Sequence, residues 1–229
     1  MLSSLRRHVS LLLGLAVASL LVGAGCSSSD ADTAAPTAPD TTLPAAVADT
    51  ATFAGGCFWC MEPPYDKIEG VAATISGYAG GDVEDPTYEQ VSSGETDHAE
   101  VVQVIYDSTK VDYEQLLRVY WHNVDPFDDE GQFCDRGSPY RPAIFVHDDR
   151  QRRLAEQSKE TVAAQFDREI AVPVQSLDAF YDAEEYHQNY YEKNPGRYNR
   201  YREGCRRDAR LEEVWGDAAM TDAPLGDTP

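Results

Sequence analysis

The segment "AGGCFWCMEPPYD", Ala54 to Asp66, places two cysteines and two aromatic residues directly after a pair of glycines. The stretch from Thr50 to Gly56 is β-prone and ends in those glycines, which predicts Cys57 at a strand-to-helix junction. Two prolines later in the segment suit the first turn of a second helical piece that runs to Glu69. The segment therefore predicts a β–α unit with a cysteine at the start of a helix.

Strand and helix patterns alternate along the rest of the domain. A helix with Asp112 as its N-cap is predicted to run to Val124, and a charged helix is predicted over Asp149 to Phe166. The predicted strands are Val71 to Tyr78, Ala99 to Asp107, "PAIFVH" and "VPVQSL". The order β-α-β-β-α-β-α-β predicts an α+β fold, a two-layer sandwich of helices on a mixed or antiparallel sheet.

The N-terminal quarter is typical of an export signal followed by a tether. Two arginines precede the apolar run Leu11 to Leu21, and small residues stand before Cys26, so residues 1–25 are predicted as a lipoprotein-type signal peptide with lipidation at Cys26. Gly23 stands where Leu or Val is usual, which leaves simple cleavage or a retained span open. The apolar run is shorter than the roughly 18 residues that a membrane span needs. Residues 26–50 are predicted as a disordered linker, 51–216 as the domain and 217–229 as a disordered tail.

The charge of the chain limits its partners. It has 19 Lys and Arg against 40 Asp and Glu, a formal net charge of −21. We expect it to repel nucleic acid and anionic lipid headgroups, so that membrane contact is made only through the predicted anchor. The predicted location is the exported side of the cell envelope.

Cys57 is a candidate nucleophile, because unpaired N–H groups and the dipole at a helix N-terminus stabilise a thiolate. Cys60 lies one helical turn away and can form a disulfide with it. One hypothesis is a thioredoxin-like exchanger in which this pair is the whole site; the other is an enzyme whose Cys57 attacks a substrate atom. No metal site is expected, because the Cys-x-x-Cys motif has no second pair: Cys134 and Cys205 stand alone.

The segments "GCFWCMEPP", "GYAGG", "PTYEQVSSGETDHAEVVQVIYD", "YEQLLRVYWHNVDP", "GQFCDRGSPYRPAIF" and "YHQNYYEKNP" closely resemble the methionine sulfoxide reductase A family, over about Phe53 to Gly216. The resemblance implies a ferredoxin-like core and reduction of the S epimer of methionine sulfoxide, in proteins and as the free amino acid. It also implies that Cys57 becomes a sulfenic acid and then a disulfide, which a thioredoxin-like donor reduces. No cofactor is implied, and we expect a monomer.

The family match also assigns roles to individual residues. Glu100 matches the general acid, and its apolar neighbours on the predicted strand favour the protonated form. Asp135 matches a carboxylate that orders the network on the substrate side. His187 lies in a matching segment, and we assign it a structural part only. The aromatics around the substrate methyl are Phe58 and Trp59, and the hydroxyls that bind the sulfoxide oxygen are those of Tyr88 and Tyr140.

The identity of the resolving cysteine stays open between three residues. Many relatives have Gly where Cys60 stands and resolve the sulfenic acid with cysteines of a glycine-rich tail, whereas the tail here holds only Cys205. Cys134 adjoins Asp135, but Cys60 is nearest to Cys57 in sequence and is favoured. Two rival functions remain: a thioredoxin-type oxidoreductase, and a non-catalytic lipoprotein that binds methionine-rich partners.

Overall fold

The computed structural model describes residues 43–45 and 47–226. The predicted signal peptide, Cys26 and most of the predicted linker lie outside the described residues. The first strand begins at Ala48, so residues 48–50 of the predicted linker belong to the domain. Within the described part of the chain, no helix is long and apolar enough to cross a membrane.

A six-stranded mixed sheet forms the centre of the domain. Its order is β7-β6-β1-β3-β2-β8; all neighbours are antiparallel except the parallel pair β6 and β7. The strands are β1 (Ala48–Gly55), β2 (Val71–Ala79), β3 (Ala99–Asp107), β6 (Pro142–Val146), β7 (Val174–Ser176) and β8 (Phe180–Asp182), and a separate hairpin is formed by β4 (Gly131–Gln132) and β5 (Asp135–Arg136). The predicted α+β class with a mixed sheet and flanking helices is confirmed.

Helices connect and follow these strands. They are α1 (Phe58–Asp66), α2 (Tyr88–Ser92), α3 (Tyr113–Trp121), α4 (Asp149–Phe166), α5 (Tyr190–Lys193), α6 (Pro195–Gly204) and α7 (Arg207–Trp215), with 3-10 turns at Ser138–Tyr140 and Gly216–Ala218. Asp112 caps α3 as predicted, since its carboxylate accepts from the Gln115 N–H at 2.7 Å. The bounds predicted for α4 are those observed.

Helix α1 differs from its prediction. It is one helix that contains Pro63 and Pro64, not two pieces that meet at the prolines. Proline fixes φ near the helical value, so the backbone continues; what is lost is the two N–H donors that would face the carbonyls of Trp59 and Cys60. The helix tolerates this loss because it is short and because most of its side chains are buried in the core.

The core lies mainly on one face of the sheet, between the sheet and helices α1, α3 and α4. Phe53 of β1 is at its centre, with its ring stacked at 5.3 Å on both Tyr65 and Tyr120. A smaller apolar cluster covers the opposite face and includes Ala54 and Phe145. Because β1 is buried on both faces, the turn that follows it is held in a fixed position, and that turn carries Cys57.

Part of the segment predicted as a disordered tail contacts the domain. Met220 N–H donates to the His122 carbonyl at 2.8 Å, and Arg118 Nε donates to the Asp222 carbonyl at 3.0 Å. Met220 and Asp222 therefore lie against the end of α3, and Gly226 N–H donates to Gln165 Oε1 of α4 at 3.2 Å, while residues 227–229 lie outside the described part.

Candidate active site

Cys57 is the N-cap of α1 and lies directly after β1. Gly56 before it has a φ of 82°, and a Cβ there would come within 2.6 Å of the Gln132 Cβ. Only glycine fits this turn without displacing the β4–β5 hairpin. The turn thus brings the Cys57 sulfur to the start of the helix, with 6% of the residue exposed.

Glu100 of β3 lies next to Cys57. Its Oε2 accepts the Phe58 N–H at 3.1 Å, and the residue is 2% exposed. Burial raises the pKa of Glu100 from 4.5 to about 8, against a smaller lowering by the Phe58 hydrogen bond. The carboxyl is therefore protonated near neutral pH, as a general acid must be.

Two phenols converge on the same point. Burial, with smaller contributions from Glu100 and Cys57, raises the pKa of Tyr88 to about 12, against a lowering by the hydrogen bond that Tyr140 donates to it. Burial also raises the pKa of Tyr140, with further contributions from Glu100, Tyr88 and Cys57. Both hydroxyls stay protonated at neutral pH and can donate hydrogen bonds to an oxygen placed beside Cys57.

An aromatic wall borders Cys57. Trp59 is partly exposed and stacks on Tyr190 with 3.7 Å between ring centroids, and its Nε1–H donates to His187 Nδ1 at 3.0 Å. Phe58 is buried, with its ring 4.8 Å from that of His187. Burial lowers the pKa of His187 to about 4, so the imidazole is neutral and accepts the Trp59 hydrogen bond. His187 thus positions Trp59, and Tyr88 packs on its ring at 4.4 Å.

Glu184 holds the tyrosine side of the site, and nothing in the sequence pattern singled it out. Its two oxygens accept from the Tyr88 N–H and the Tyr78 hydroxyl, each at 2.8 Å. These bonds lower its pKa against the effect of burial. Glu184 therefore ties the start of α2, and with it Tyr88, to strand β2.

Asp135 of the β4–β5 hairpin faces the site from the opposite side. Its Oδ2 accepts from the Tyr201 hydroxyl of α6 at 2.5 Å, and burial raises its pKa. Tyr201 also meets Trp59 edge-on at 5.8 Å. Tyr201 is therefore a partner of Asp135 that the sequence did not indicate.

Cys57 and Cys60 share a hydrogen bond, and the lowered pKa belongs to Cys60, not to Cys57. Burial raises the pKa of Cys57, and the hydrogen bond to Cys60 raises it further, whereas the pKa of Cys60 falls from 9.0 to about 7. In the resting pair the pKa shifts favour the thiolate at Cys60, and the role of Cys57 as nucleophile stays a prediction. Burial is the main cause of the raised pKa of Cys57, because it disfavours the charged form of the Cys57 sulfur.

The other two described cysteines are bonded to each other. Cys134 and Cys205 form a disulfide with their Cα atoms 4.9 Å apart, while Cys57 and Cys60 are free thiols. Cys134, Cys205 and Asp135 place three potential ligand atoms within 4.8 Å of one another. While the disulfide stands, its sulfurs are not thiolates, so this group is not a metal-binding thiolate site.

A cavity of about 1000 Å³ opens elsewhere, between α1, α3 and α6. Its wall includes Tyr198 and Arg202, but neither Cys57 nor Glu100. The cavity is therefore separate from the candidate active site.

The structure thus brings the predicted residues together: a thiol, a protonated carboxyl, two phenol donors and an aromatic wall surround one point. This arrangement defines an enzyme of the thiol-dependent reductase class, because a thiol can attack an atom whose oxygen is protonated at the same moment. A thiol pair without the acid would be enough for disulfide exchange alone.

Comparison with known proteins identifies the family. The family model described as peptide methionine sulfoxide reductase matches residues 49–219. A peptide methionine sulfoxide reductase MsrA of Ligilactobacillus salivarius (strain UCC118) is 53% identical over 152 residues, which cover 66% of this chain and 88% of that protein. The MsrA of Bacillus subtilis (strain 168) is 48% identical over 170 residues, 73% of this chain and 96% of that protein. The chain belongs to the peptide methionine sulfoxide reductase family.

Solved structures agree with this assignment. Mxr1 from Saccharomyces cerevisiae in reduced form superimposes with a TM-score of 0.64 at 32% identity, covering 68% of this chain and 90% of that one. Methionine sulfoxide reductase A of Corynebacterium diphtheriae gives a TM-score of 0.60 at 31% identity, covering 68% and 78%. The family and fold that the sequence motifs imply are therefore confirmed.

Proposed function

We propose that this protein reduces the S epimer of methionine sulfoxide to methionine, in oxidised proteins and as the free amino acid. The observation that carries the proposal is the protonated Glu100 carboxyl, bonded to the Phe58 N–H directly beside Cys57. A sulfoxide sulfur becomes electrophilic when its oxygen is protonated, so nucleophile and acid must act on neighbouring atoms of one group. Thiol-disulfide exchange needs no such acid.

In the first step the Cys57 sulfur bonds to the substrate sulfur while Glu100 gives its proton to the sulfoxide oxygen. The Cys57 proton passes to Cys60, with which Cys57 is hydrogen-bonded. The hydroxyls of Tyr88 and Tyr140 stabilise the oxygen as its bond to sulfur breaks. The bond between the two sulfurs then breaks as the hydroxyl passes from the substrate sulfur to the Cys57 sulfur. Methionine leaves having gained two electrons, and Cys57, which has lost two, is left as a sulfenic acid.

The aromatic wall supplies the methyl pocket. Methionine sulfoxide carries an apolar methyl on the same sulfur as its oxygen, so binding needs an apolar surface opposite the donors. Trp59 is fixed by its bond to His187 and its stack on Tyr190, and it is partly exposed. Phe58 lies behind it and is buried.

Cys60 is the proposed resolving residue. It is a free thiol on the same helical turn as Cys57, and its N–H donates to the Cys57 carbonyl at 3.0 Å. Cys134 and Cys205 are already paired with each other. Cys60 sulfur attacks the Cys57 sulfur, and the hydroxyl leaves as water with the proton that Cys60 received. The resulting disulfide is reduced by a dithiol donor of the thioredoxin type.

One turnover without reductant tests these steps. With methionine S-sulfoxide, the wild type is expected to release one equivalent of methionine and to form a Cys57–Cys60 disulfide, detected by mass spectrometry of peptides. Cys60→Ser lacks the group that takes the Cys57 proton, so it is expected to release the same equivalent more slowly and to stop at the sulfenic acid, which dimedone traps. The matched control, Cys134→Ser with Cys205→Ser, is expected to behave as wild type. Release of no methionine would contradict the proposed function, and a Cys57–Cys134 or Cys57–Cys205 bond would contradict the role of Cys60.

We also propose that the protein acts as a monomer, exported and anchored by a lipid on Cys26. Support for one chain comes from the site, in which every residue named above belongs to a single domain. Support for export comes from the basic and apolar N-terminal pattern and from the Cys134–Cys205 disulfide, which is typical of oxidising compartments. Incorporation of labelled palmitate into the wild type but not into Cys26→Ala tests the anchor. Equal labelling of both would contradict it.

A further inference from the structure

Arg207, the first residue of α7, is buried beneath the redox motif with 1% exposure. Its Nη2 donates to the carbonyls of Asn123 at 2.7 Å and Gly55 at 3.1 Å, and lies 3.0 Å from the Met61 sulfur. Gly55 and Met61 flank Cys57 and Cys60 along the chain, so the guanidinium lies under the turn that carries both thiols.

The charge of Arg207 has no carboxylate partner among the described residues. Its neighbours in sequence differ, since Arg202 pairs with Asp208 at 2.5 Å and Arg210 pairs with Asp125 at 2.7 Å. The Nε of Arg207 has no hydrogen-bond partner, and its guanidinium carbon lies 4.3 Å from the centre of the Phe133 ring. A buried guanidinium stays charged, so it needs a compensating anion nearby.

We propose that Arg207 is a positioning residue whose buried charge is the counter-ion of the thiolate shared by Cys60 and Cys57. The proposal rests on the proposed role of Cys60 as the resolving residue. It assigns Arg207 the task of keeping the pair ionised, so that Cys60 can receive the Cys57 proton in the first step. The negative charge thus lies one helical turn behind the sulfur that attacks.

The ionisable groups around Cys60 support the role proposed for Arg207. Its negative form is favoured by the hydrogen bond from Cys57 and by Arg207 and Arg202, against burial and the charge of Asp135, and its pKa falls to about 7. The other ionisable groups that face Cys60 are neutral at this pH: Glu100, Tyr198 and Tyr201. Of the two arginines, only Arg207 lacks a carboxylate of its own.

The test titrates Cys60 alone, in a Cys57→Ser background with the Cys134–Cys205 disulfide intact. Thiolate ultraviolet absorbance and the rate of alkylation by iodoacetamide are followed against pH. A midpoint near 7 is expected, because a serine hydroxyl can donate to the Cys60 sulfur as the Cys57 thiol does, and it should move towards the ordinary 9.0 in Arg207→Met. Arg207→Lys is expected to keep the midpoint near 7 if the neighbouring thiolate holds the buried ammonium in its protonated form. Arg210→Met, on the same helix but paired outward, is the matched control and is expected to change nothing.

Turnover gives a second readout. If the Cys60 midpoint rises from about 7 to about 8 in Arg207→Met, the thiolate fraction at about pH 7 falls roughly fivefold and thiolate nucleophilicity rises roughly threefold, so disulfide formation should slow about twofold. KM for the sulfoxide should not change, because Arg207 does not touch the substrate side. A purely structural role would change stability without moving the midpoint.

An unchanged midpoint in Arg207→Met would overturn the proposal. If that variant does not fold, Arg207→Gln decides, because it can still donate to the carbonyls of Gly55 and Asn123 but carries no charge; an unchanged midpoint there overturns the proposal as well. A midpoint near 9.0 in the Cys57→Ser parent would do the same. No sulfoxide is used in these titrations, so their failure is distinct from a failure of the proposed function, which appears as absence of methionine.

Discussion

Glu100→Gln exchanges a buried acid for an amide of the same shape, and we expect it to stabilise the fold while removing activity. The amide oxygen can accept the Phe58 N–H as the carboxyl does at 3.1 Å. It cannot give a proton to the sulfoxide oxygen. General acids contribute about 10²- to 10⁴-fold in rate, so kcat for methionine S-sulfoxide should fall by that factor.

The gain in stability follows from the raised pKa. Glu100 titrates at about 8 in the fold and at 4.5 when unperturbed, so folding takes up a proton between these values. A group with a raised folded pKa gives stability that is fully present below its unfolded pKa and is lost as pH rises through the folded one. At pH 7 the loss is roughly 3 kcal/mol, and glutamine does not suffer it because it never ionises.

Urea unfolding of wild type and Glu100→Gln at a series of pH values measures this difference. We expect the two free energies of unfolding to agree at about pH 4 and to diverge in favour of glutamine by about 3 kcal/mol at pH 7. A gap that stays constant with pH would refute the reasoning, because it would mean that the Glu100 pKa is not raised by folding.

Three further outcomes are expected. Tyr140→Phe removes a donor to the sulfoxide oxygen and should lower kcat by about 10- to 100-fold with little change in KM; an unchanged kcat would contradict its role. Trp59→Phe loses the 3.0 Å bond to His187 and should raise KM about fivefold, measured with the free amino acid; an unchanged KM would mean that the wall does not bind the methyl. Cys134→Ser with Cys205→Ser removes a disulfide that spans 71 residues and should lower the free energy of unfolding by about 2 to 4 kcal/mol, measured in urea. A loss of single-turnover methionine yield in the folded double variant would contradict a purely structural role for this disulfide.

Local patterns predicted the fold wherever one signal dominated. The cap at Asp112 and the apolar alternation from Ala99 to Asp107 gave correct elements, because each is a short-range preference that tertiary packing did not oppose. The α5–α7 region was missed, since its charged, tyrosine-rich sequence has little apolar periodicity. Its polar groups are buried because they form hydrogen bonds with residues that are distant in sequence; Arg207, for example, donates to the carbonyl of Gly55. Such pairings cannot be seen in a local window.

The site shows the same division. Cys57 and Glu100 could be named from motifs, and the structure brings them together. The charge of the thiol pair could not be predicted from motifs, because it depends on burial, on the hydrogen bond between the two thiols and on Arg207, which lies far along the chain. Glu184 and Tyr201 were missed because a lone carboxylate or phenol on a polar segment carries no signal without its partner. Position in three dimensions, not residue type, makes them part of the site.

Infrared difference spectroscopy of the Glu100 carboxyl tests most directly whether a neutral acid stands beside Cys57. Glu62 is also buried, with a pKa raised to about 7, so the spectrum of Glu100→Gln must be subtracted to isolate the Glu100 band. We expect the protonated carbonyl band to persist at neutral pH and to disappear with a midpoint near 8. Its absence already at about pH 6 would show an ionised carboxylate at this position and contradict the mechanism.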